Sequence, residues 1–323
     1  MSVPAGTFDS FSAIGDREDL EDIIYDISPL ETPFVTGVAR LKANATFHEW
    51  QTDILASAAT NAAIQGNDAS VLTATPTVRL RNYTQILTKT VSVSGTQEAV
   101  NKAGRDSELA YQMAKRSKEL KRDLEYAAVR NQTSTSGSTG ATAATMAAVE
   151  AWITTYTSAG TGTAQTTPGY SSGTVAQPTD SSVAGSVSEA MMKGVIATVW
   201  TNGGDPGTLM VGPKTKQKIS GSFNGIATRY RMTPEGQADI ISGVDLYVSD
   251  FGEHRLVPNR FMRDQNILIL DMEFWGIAYL RGFQSWDLAK TGDSIKRQIL
   301  VEATLVAKNA LSSGKVTDIN PAL

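Results

Sequence analysis

The pattern of apolar and polar positions predicts one long helix in the first half of the chain. Residues 106–131 contain no glycine or proline, and apolar or small side chains recur every three or four positions, at Leu109, Met113, Ser117, Leu120, Leu124 and Ala128. Asp106 is the expected N-cap. At 1.5 Å per residue the helix would be ~39 Å long, longer than a small domain is wide.

The opposite side of this helix carries a basic cluster, Lys115, Arg116, Lys118, Lys121 and Arg122. Acidic residues are interleaved with it, so Lys115–Glu119 and Lys121–Glu125 are expected as ion pairs one turn apart. The cluster could meet DNA, or it could be a solvated or inter-subunit face.

Two strand-like segments, 46–53 and 76–94, flank about twenty residues that are rich in alanine and poor in large apolar side chains. They predict a long antiparallel hairpin with a wide tip. An isolated two-stranded ribbon is marginally stable in water. The hairpin must therefore lie on its own core or on a neighbouring molecule, and the pattern leaves both open.

Residues 17–27 predict a short amphipathic helix, because Leu20, Ile23, Ile24 and Ile27 form one apolar stripe. Pro29 and Pro33 are expected to end it and to force an extended path. The first 45 residues are then an arm with one small helix, although the helix could equally pack on its own domain.

Residues 132–185 consist mainly of Ser, Thr, Gly and Ala, with Glu150 and Asp180 as the formal charges. One helix is expected at 141–156, and the rest is expected to be polar loop, either an exposed surface insertion or a linker.

The second half of the chain alternates helix and strand signals. Helices are predicted at 188–202, with Ser188 as N-cap, and from Pro213 onward. Strands are predicted at 207–212, 244–249, 254–258, 266–271, 274–281 and 295–308. The predicted fold class is therefore α+β.

Composition excludes several classes of chemistry. The chain has 323 residues, 41% hydrophobic and 19% charged, with a net charge of −4, no cysteine and two histidines. Disulfides, thiol nucleophiles, cysteine-ligated metals and histidine-rich metal sites are excluded. No secretory signal or membrane-spanning segment is predicted. His48 and His254 are expected to be packing or hydrogen-bonding residues.

One segment imitates a nucleotide-binding loop. Gly207 and Gly212 have the P-loop spacing and are followed by Lys214 and Thr215. Pro213 intrudes, lacks an N–H group and shifts the lysine by one position, so a strand–turn–helix corner is expected instead. No catalytic residue, cofactor site or metal site is assigned.

Several segments together resemble one family: REDLEDIIYDISPLETPF at 17–34, FHEWQTD at 47–53, LAKTGDS at 288–294 and QILVEATLVAKN at 298–309, followed by Gly314–Lys315–Val316. In this order they are similar to the major capsid proteins of tailed bacteriophages, which have the Hong Kong 97-type fold. The resemblance covers most of the chain, and residues 132–185 are its least family-like part.

The resemblance implies an N-terminal arm (1–45), an extended hairpin loop (46–94), a peripheral domain with spine helix and polar insertion (95–185), an axial domain (186–282) and a C-terminal return to the peripheral sheet (283–323). It implies a structural protein, not an enzyme, that self-assembles into hexamers and pentamers around double-stranded DNA. The five basic residues of the spine helix would face that DNA. Scaffold, portal and decoration proteins are further expected partners.

The resemblance also implies a virion capsid location, with assembly in the host cytoplasm. No lysine occurs between Lys42 and Lys89, so covalent cross-linking from the hairpin tip is not expected. Any scaffold is expected to be a separate protein, because the arm helix begins near residue 16. A cellular, encapsulin-like compartment shell of the same fold is the alternative, and a soluble nucleotide-binding enzyme is a remoter one.

Overall fold

The computed structural model describes residues 30–66, 68, 74–159, 165–181, 184–223, 230–232, 238–240 and 245–320. The helix predicted at 17–27 lies outside these residues. The described helices are α1 (Pro33–Gly37), α2 (Gly95–Ala99), α3 (Glu108–Val129), α4 (Val149–Trp152), α5 (Glu189–Thr201) and α6 (Pro213–Phe223).

The described strands are β1 (Ala39–Lys42), β2 (Phe47–Thr52), β3 (Val78–Tyr83), β4 (Gln85–Ser94), β5 (Thr157–Ala159), β6 (Gly169–Ser171), β7 (Thr174–Ala176), β8 (Thr208–Val211), β9 (Tyr230–Met232), β10 (Ala238–Ile240), β11 (Leu246–Ser249), β12 (Gly252–Pro258), β13 (Ile267–Leu270), β14 (Trp275–Asp287), β15 (Ser294–Ala307) and β16 (Gly314–Thr317). The mixture of helices and sheets confirms the α+β class.

A four-stranded sheet in the order β1-β14-β15-β4 supports the long helix α3. Strands β14 and β15 pair antiparallel over most of their length, and β1 adds to β14 in parallel. Leu120 and Leu124 on α3 are buried in the same apolar cluster as Ile277, Val301 and Leu305 of the sheet. The C-terminal part of the stripe read from the sequence, Leu120, Leu124 and Ala128, is thus buried in this cluster, whereas Ser117 is exposed.

Helix α3 is shorter than predicted and begins later. It has 22 residues, or ~33 Å, and its N-cap is Ser107, not Asp106. The Ser107 hydroxyl accepts a hydrogen bond from the Ala110 N–H, and the Glu98 carboxylate accepts from the N–H groups of Glu108 and Leu109. A carboxylate at a helix N-terminus satisfies free N–H groups and favours the helix dipole.

A second, six-stranded sheet has the order β11-β12-β8-β13-β16-β5, and α5 packs against it. Val195, Ile196 and Val199 of α5 are buried with Leu209 and Ile267 of the sheet. The predicted helix at 188–202 and the strand at 207–212 are confirmed, and so is the helix that begins at Pro213.

The strand predictions in the last third of the chain are also confirmed in the described residues. Strand β14 continues to Asp287, well beyond the predicted end at 281. Register irregularities between Tyr279 and Gln284 separate its two parts, so the alternation breaks there and the extension is hard to see in the sequence.

The predicted hairpin is only half correct. Strands β2 and β3 pair antiparallel, from Phe47 opposite Tyr83 to Thr52 opposite Val78. At Thr84 the chain leaves this pair, and β4 pairs with β15 in the main sheet instead. The hairpin therefore excludes 85–94, which the prediction of a 46–94 loop had included.

The polar segment 132–185 is not simply an exposed insertion or linker. Its helix is the short α4, not 141–156, and every residue from Met146 to Ile153 is buried. Val175 of the β6–β7 hairpin is also fully buried. Small side chains such as Ala147, Ala148 and Ala151 pack closely, so few large apolar residues are needed to fill this part of the core.

Pro33 also differs from its predicted role. It opens α1 rather than extending the chain, because proline has the fixed φ of a helix and its missing N–H costs nothing at the first position.

Candidate assembly surfaces

The base of the β2–β3 hairpin is fixed to the body by buried polar contacts. The Asn82 side chain is fully buried; its Oδ1 accepts from the Ala147 N–H (2.9 Å) and its Nδ2 donates to the Leu305 carbonyl (2.8 Å). The Thr84 hydroxyl lies 3.0 Å from the Thr46 carbonyl oxygen and 2.9 Å from Glu302 Oε1, so its one proton is shared between these two acceptors. These bonds hold the point at which the chain leaves one sheet for the other.

Aromatic packing supports the same base. Trp50 of β2 lies 5.3 Å from Trp152 of α4, which in turn stacks on Tyr170 of β6 at 6.0 Å. Arg81 of β3 donates to the Gly173 carbonyl in the turn after β6. The polar segment thus forms the seat of the hairpin, a role its composition did not indicate.

The tip of the hairpin is exposed over residues 53–66, the part of its first half that the structure describes without a gap. Every residue from Asp53 to Gly66 is exposed, including Leu55 at 93% and Ile64 at 80%. Large apolar side chains exposed together on a projecting element are typical of a contact with another molecule.

The five basic residues of α3 do not form one free surface. Lys115 and Lys118 are exposed. Arg116 pairs with Glu119 at 2.6 Å, and the Arg122 guanidinium lies 5.7 Å from the centre of the Phe261 ring. Lys121 borders two clefts beside α1.

The expected ion pairs of α3 are not the ones that form. Glu119 pairs with Arg116 instead of Lys115. Glu125 is fully buried and is engaged elsewhere: Oε1 accepts from the Phe34 N–H (2.9 Å) and from Asn259 Nδ2 (2.6 Å), and Oε2 accepts from the Val35 N–H (2.7 Å). Burial raises the pKa of Glu125, while the three donors oppose that change. This carboxylate fastens α1, where the arm enters the body, to α3.

A second buried polar group joins the polar segment to the C-terminal strand. Lys315 Nζ donates to the Glu150 carbonyl (2.9 Å), Gln165 Oε1 (3.0 Å) and Thr167 Oγ1 (2.8 Å). Arg263 contacts the Glu150 carboxylate at 3.0 Å. Burial lowers the pKa of Lys315 to about 8. Every donor of the ammonium has a partner, which is consistent with a structural role.

The segment that imitates a P-loop has no room for phosphate. Asp264 Oδ1 accepts from the Lys214 N–H at 2.9 Å, and the Thr215 hydroxyl donates to the Asp264 carbonyl. A side chain at Gly212 would collide with Asp264. The N-terminus of α6 is therefore already capped by a carboxylate, which would repel a second anion.

The histidines have the expected surroundings. His254 is buried, with Nδ1 bonded to the Pro206 carbonyl and Nε2 to the Ser249 hydroxyl. His48 packs beside Trp50, and burial lowers its pKa. In the part of the chain that the structure describes, no three acidic or histidine side chains converge as metal ligands, and no helix is long and apolar enough to cross a membrane.

Among the residues on which these surfaces depend, Glu125, Lys315 and Asp264 were not singled out by the sequence as structural anchors. Glu125 has a recognisable signal, since it adjoins the apolar stripe at Leu124 and Ala128. Lys315 and Asp264 have none, because their partners lie far away in the sequence.

Comparison with known proteins agrees with this architecture. A family model described as "SU10 major capsid protein" matches residues 3–320. The major capsid protein of Escherichia phage Phieco32 is 28% identical over an alignment of 335 positions, which covers 95% of this chain and 95% of that protein.

Two solved structures show the same fold at low identity. The cyanophage A-1(L) capsid has a TM-score of 0.68 and 13% identity, covering 96% of this chain and 98% of that one. The capsid of a native GTA particle has a TM-score of 0.63 with the same identity and coverage. The predicted Hong Kong 97-type fold is thereby confirmed.

Proposed function

Because the chain belongs to the SU10 major capsid protein family, it is a structural subunit of a tailed-phage capsid shell, and we propose that its hairpin tip makes the contact that joins neighbouring subunits. The exposed tip from Asp53 to Gly66 is the observation that carries this proposal. Its apolar side chains are solvated in one chain and would be covered in a lattice.

The design of the hairpin supports this role. The base is held by Asn82, Thr84 and Trp50, whereas the tip residues 53–66 are all exposed. A fixed base sets the direction of the projection, and a free tip adapts to neighbours in rings of six and of five. Contacts of this head-to-tail kind close into rings, and many weak contacts add up to a stable shell.

The N-terminal arm is proposed as a second inter-subunit contact, and the basic residues of α3 as the part of the subunit near packaged DNA. Lys115 and Lys118 carry most of that interaction, because they are exposed and have no ion-pair partner among the described residues. Arg116, Lys121 and Arg122 contribute less because each has a neighbour in the subunit. The attraction is to phosphates and carries no sequence information.

Further elements of the proposal come from the family resemblance. They are a role without catalysis, assembly in the host cytoplasm, a separate scaffold, and portal and decoration partners. The assignment of residues 95–185 and 283–323 to a peripheral domain and of 186–282 to an axial domain belongs with them.

The hairpin contact is tested by Leu55→Asp, with Ser57→Asp as the matched control. Both variants add one carboxylate to the exposed tip, but only the first removes a large apolar side chain. We expect both chains to fold with the same thermal midpoint. Leu55→Asp should reduce the fraction of protein in capsomers and shells, measured by sedimentation velocity. Equal assembly by both variants would refute the proposed contact.

The DNA contact is tested by Lys115→Glu combined with Lys118→Glu. Particles of this variant should protect less DNA from nuclease than particles of the control Lys193→Glu, which reverses an exposed charge on α5. Equal protection would remove α3 from the DNA-facing surface.

A further inference from the structure

Two clefts meet beside Lys121, where the arm enters the body. One has a volume of about 390 Å³ and is lined by Val35, Arg40, Lys121, Tyr279, Gly282 and Phe283. The other, of about 420 Å³, includes Leu30, Pro33, Lys121 and Pro258. Phe283 and Leu30 are about half exposed, so apolar surface remains open in both.

The rim of these clefts is basic. Arg40, which lines the first cleft, is exposed, and Lys121, which lines both, is half-buried. Among the residues that the structure describes, no carboxylate forms an ion pair with either of them. Among the residues that line the two clefts, the acidic one is Glu31, in the second cleft.

The sequence immediately before Leu30 has the complementary chemistry. Residues 16–27 contain six acidic residues and one arginine. Their apolar stripe, Leu20, Ile23, Ile24 and Ile27, matches the open apolar surface of the clefts. Three peptide units, at most ~11 Å of extended chain, connect Ile27 to Leu30, so the covalent chain tethers this segment to a residue that lines the second cleft.

We propose that the acidic amphipathic segment 16–27 docks onto these clefts of its own subunit, with its apolar stripe against Phe283 and Leu30 and its carboxylates around Arg40 and Lys121. As a 12-residue helix it would be ~18 Å long. Lys121 is then a receptor for segment 16–27, separate from the DNA-facing Lys115 and Lys118, and the inter-subunit contact proposed for the N-terminal arm is left to residues 1–15.

The experiment uses the absence of cysteine from the chain, which makes any introduced pair unique. Ile23→Cys combined with Phe283→Cys, in the full unassembled chain under mild oxidation, should form a disulfide within one chain. Non-reducing electrophoresis and peptide mass spectrometry distinguish it from a disulfide between chains. A link between two chains would overturn docking in the same subunit and identify a second copy as the occupant.

The control variant keeps the two cysteines and the chain that connects them, but it removes the apolar stripe that is proposed to dock. The same cysteine pair with Leu20→Ser, Ile24→Ser and Ile27→Ser should link at least ~10-fold more slowly, since burial of one aliphatic side chain is worth about that factor. Arg40→Glu with Lys121→Glu should slow the link several-fold, and added salt should do the same to the parent pair. Equal rates with and without the apolar stripe would overturn the proposal. Circular dichroism and thermal midpoints verify that each variant folds.

Discussion

Replacement of Glu125 by glutamine tests how the arm is fastened to the body. The carboxylate accepts three hydrogen bonds, from the Phe34 and Val35 N–H groups and from Asn259. A glutamine of the same shape keeps one acceptor oxygen. In its better orientation the amide oxygen accepts hydrogen bonds from the Phe34 N–H and from Asn259, and the amide nitrogen faces the Val35 N–H, which is left without an acceptor.

The magnitude follows from these partners. One buried N–H without an acceptor costs about 1–3 kcal/mol, and two charge-assisted bonds become weaker neutral ones. Removal of a buried charge offsets part of this loss. We therefore expect Glu125→Gln to lower the free energy of unfolding by roughly 2 kcal/mol. The loss should be concentrated at α1.

The assay is urea unfolding of the unassembled chain combined with amide hydrogen exchange. The five tryptophans, among them Trp275 with its ring 6.4 Å from the Phe34 ring, make fluorescence a probe of unfolding, and hydrogen exchange locates the change. Exchange at the Phe34 and Val35 amides should become about 5- to 150-fold faster, equivalent to 1–3 kcal/mol. Asp123→Asn is the control on the same helix: its pair with Lys89 at 2.8 Å is partly exposed and is worth at most about 1 kcal/mol.

The pH dependence gives a second readout. Because burial raises the folded-state pKa of Glu125 above its ordinary value of 4.5, the folded chain binds this proton more tightly than the unfolded chain. Stability due to this group therefore falls as pH rises from 4.5 through the raised pKa, and the glutamine variant lacks that slope. Unchanged exchange at Phe34 and Val35 in Glu125→Gln would refute the role of the carboxylate as a fastener.

Three further predictions concern other anchors. Lys315 has a folded pKa of about 8 against 10.5 when unfolded. Between these two pH values the unfolded chain holds this proton and the folded chain does not, so the free energy of unfolding should rise with pH by about 3 kcal/mol. The difference in unfolding free energy between wild type and Lys315→Met, measured against pH, should show this slope, and a flat difference would contradict it. Asn82→Ala removes the buried bonds at the hairpin base and should cost about 2–4 kcal/mol, with faster proteolysis of the hairpin by trypsin; an unchanged cleavage rate would show that the base is held by other contacts. Asp264→Ala uncaps α6 and should lower the unfolding free energy by about 1 kcal/mol, while calorimetry with ATP should still detect no binding; ATP binding would reopen the nucleotide site.

Much of this protein was predictable because its signals are local. The stripes of α3 and α5 and the alternation of β15 are set by residues three, four or two positions apart, and the helices and strand appeared where expected. The motifs at 17–34, 47–53 and 288–309 identified the family, which the match over residues 3–320 confirms.

The errors have a common physical origin. The sequence does not show that the chain changes sheets at Thr84, because that depends on β15, more than 200 residues later. It suggested an exposed insertion at 132–185, because small side chains are a weak apolar signal until partners from other segments surround them.

The sequence alone determined the α+β class, the main helices and strands, the absence of cysteine chemistry and the family. The tertiary structure decided which residues act as anchors, that Lys121 borders clefts apart from the exposed Lys115 and Lys118, and that residues 53–66 of the hairpin tip are all exposed. Periodicity reports the side of an element that is buried, but the identity of what covers it depends on contacts between residues that are distant in the chain.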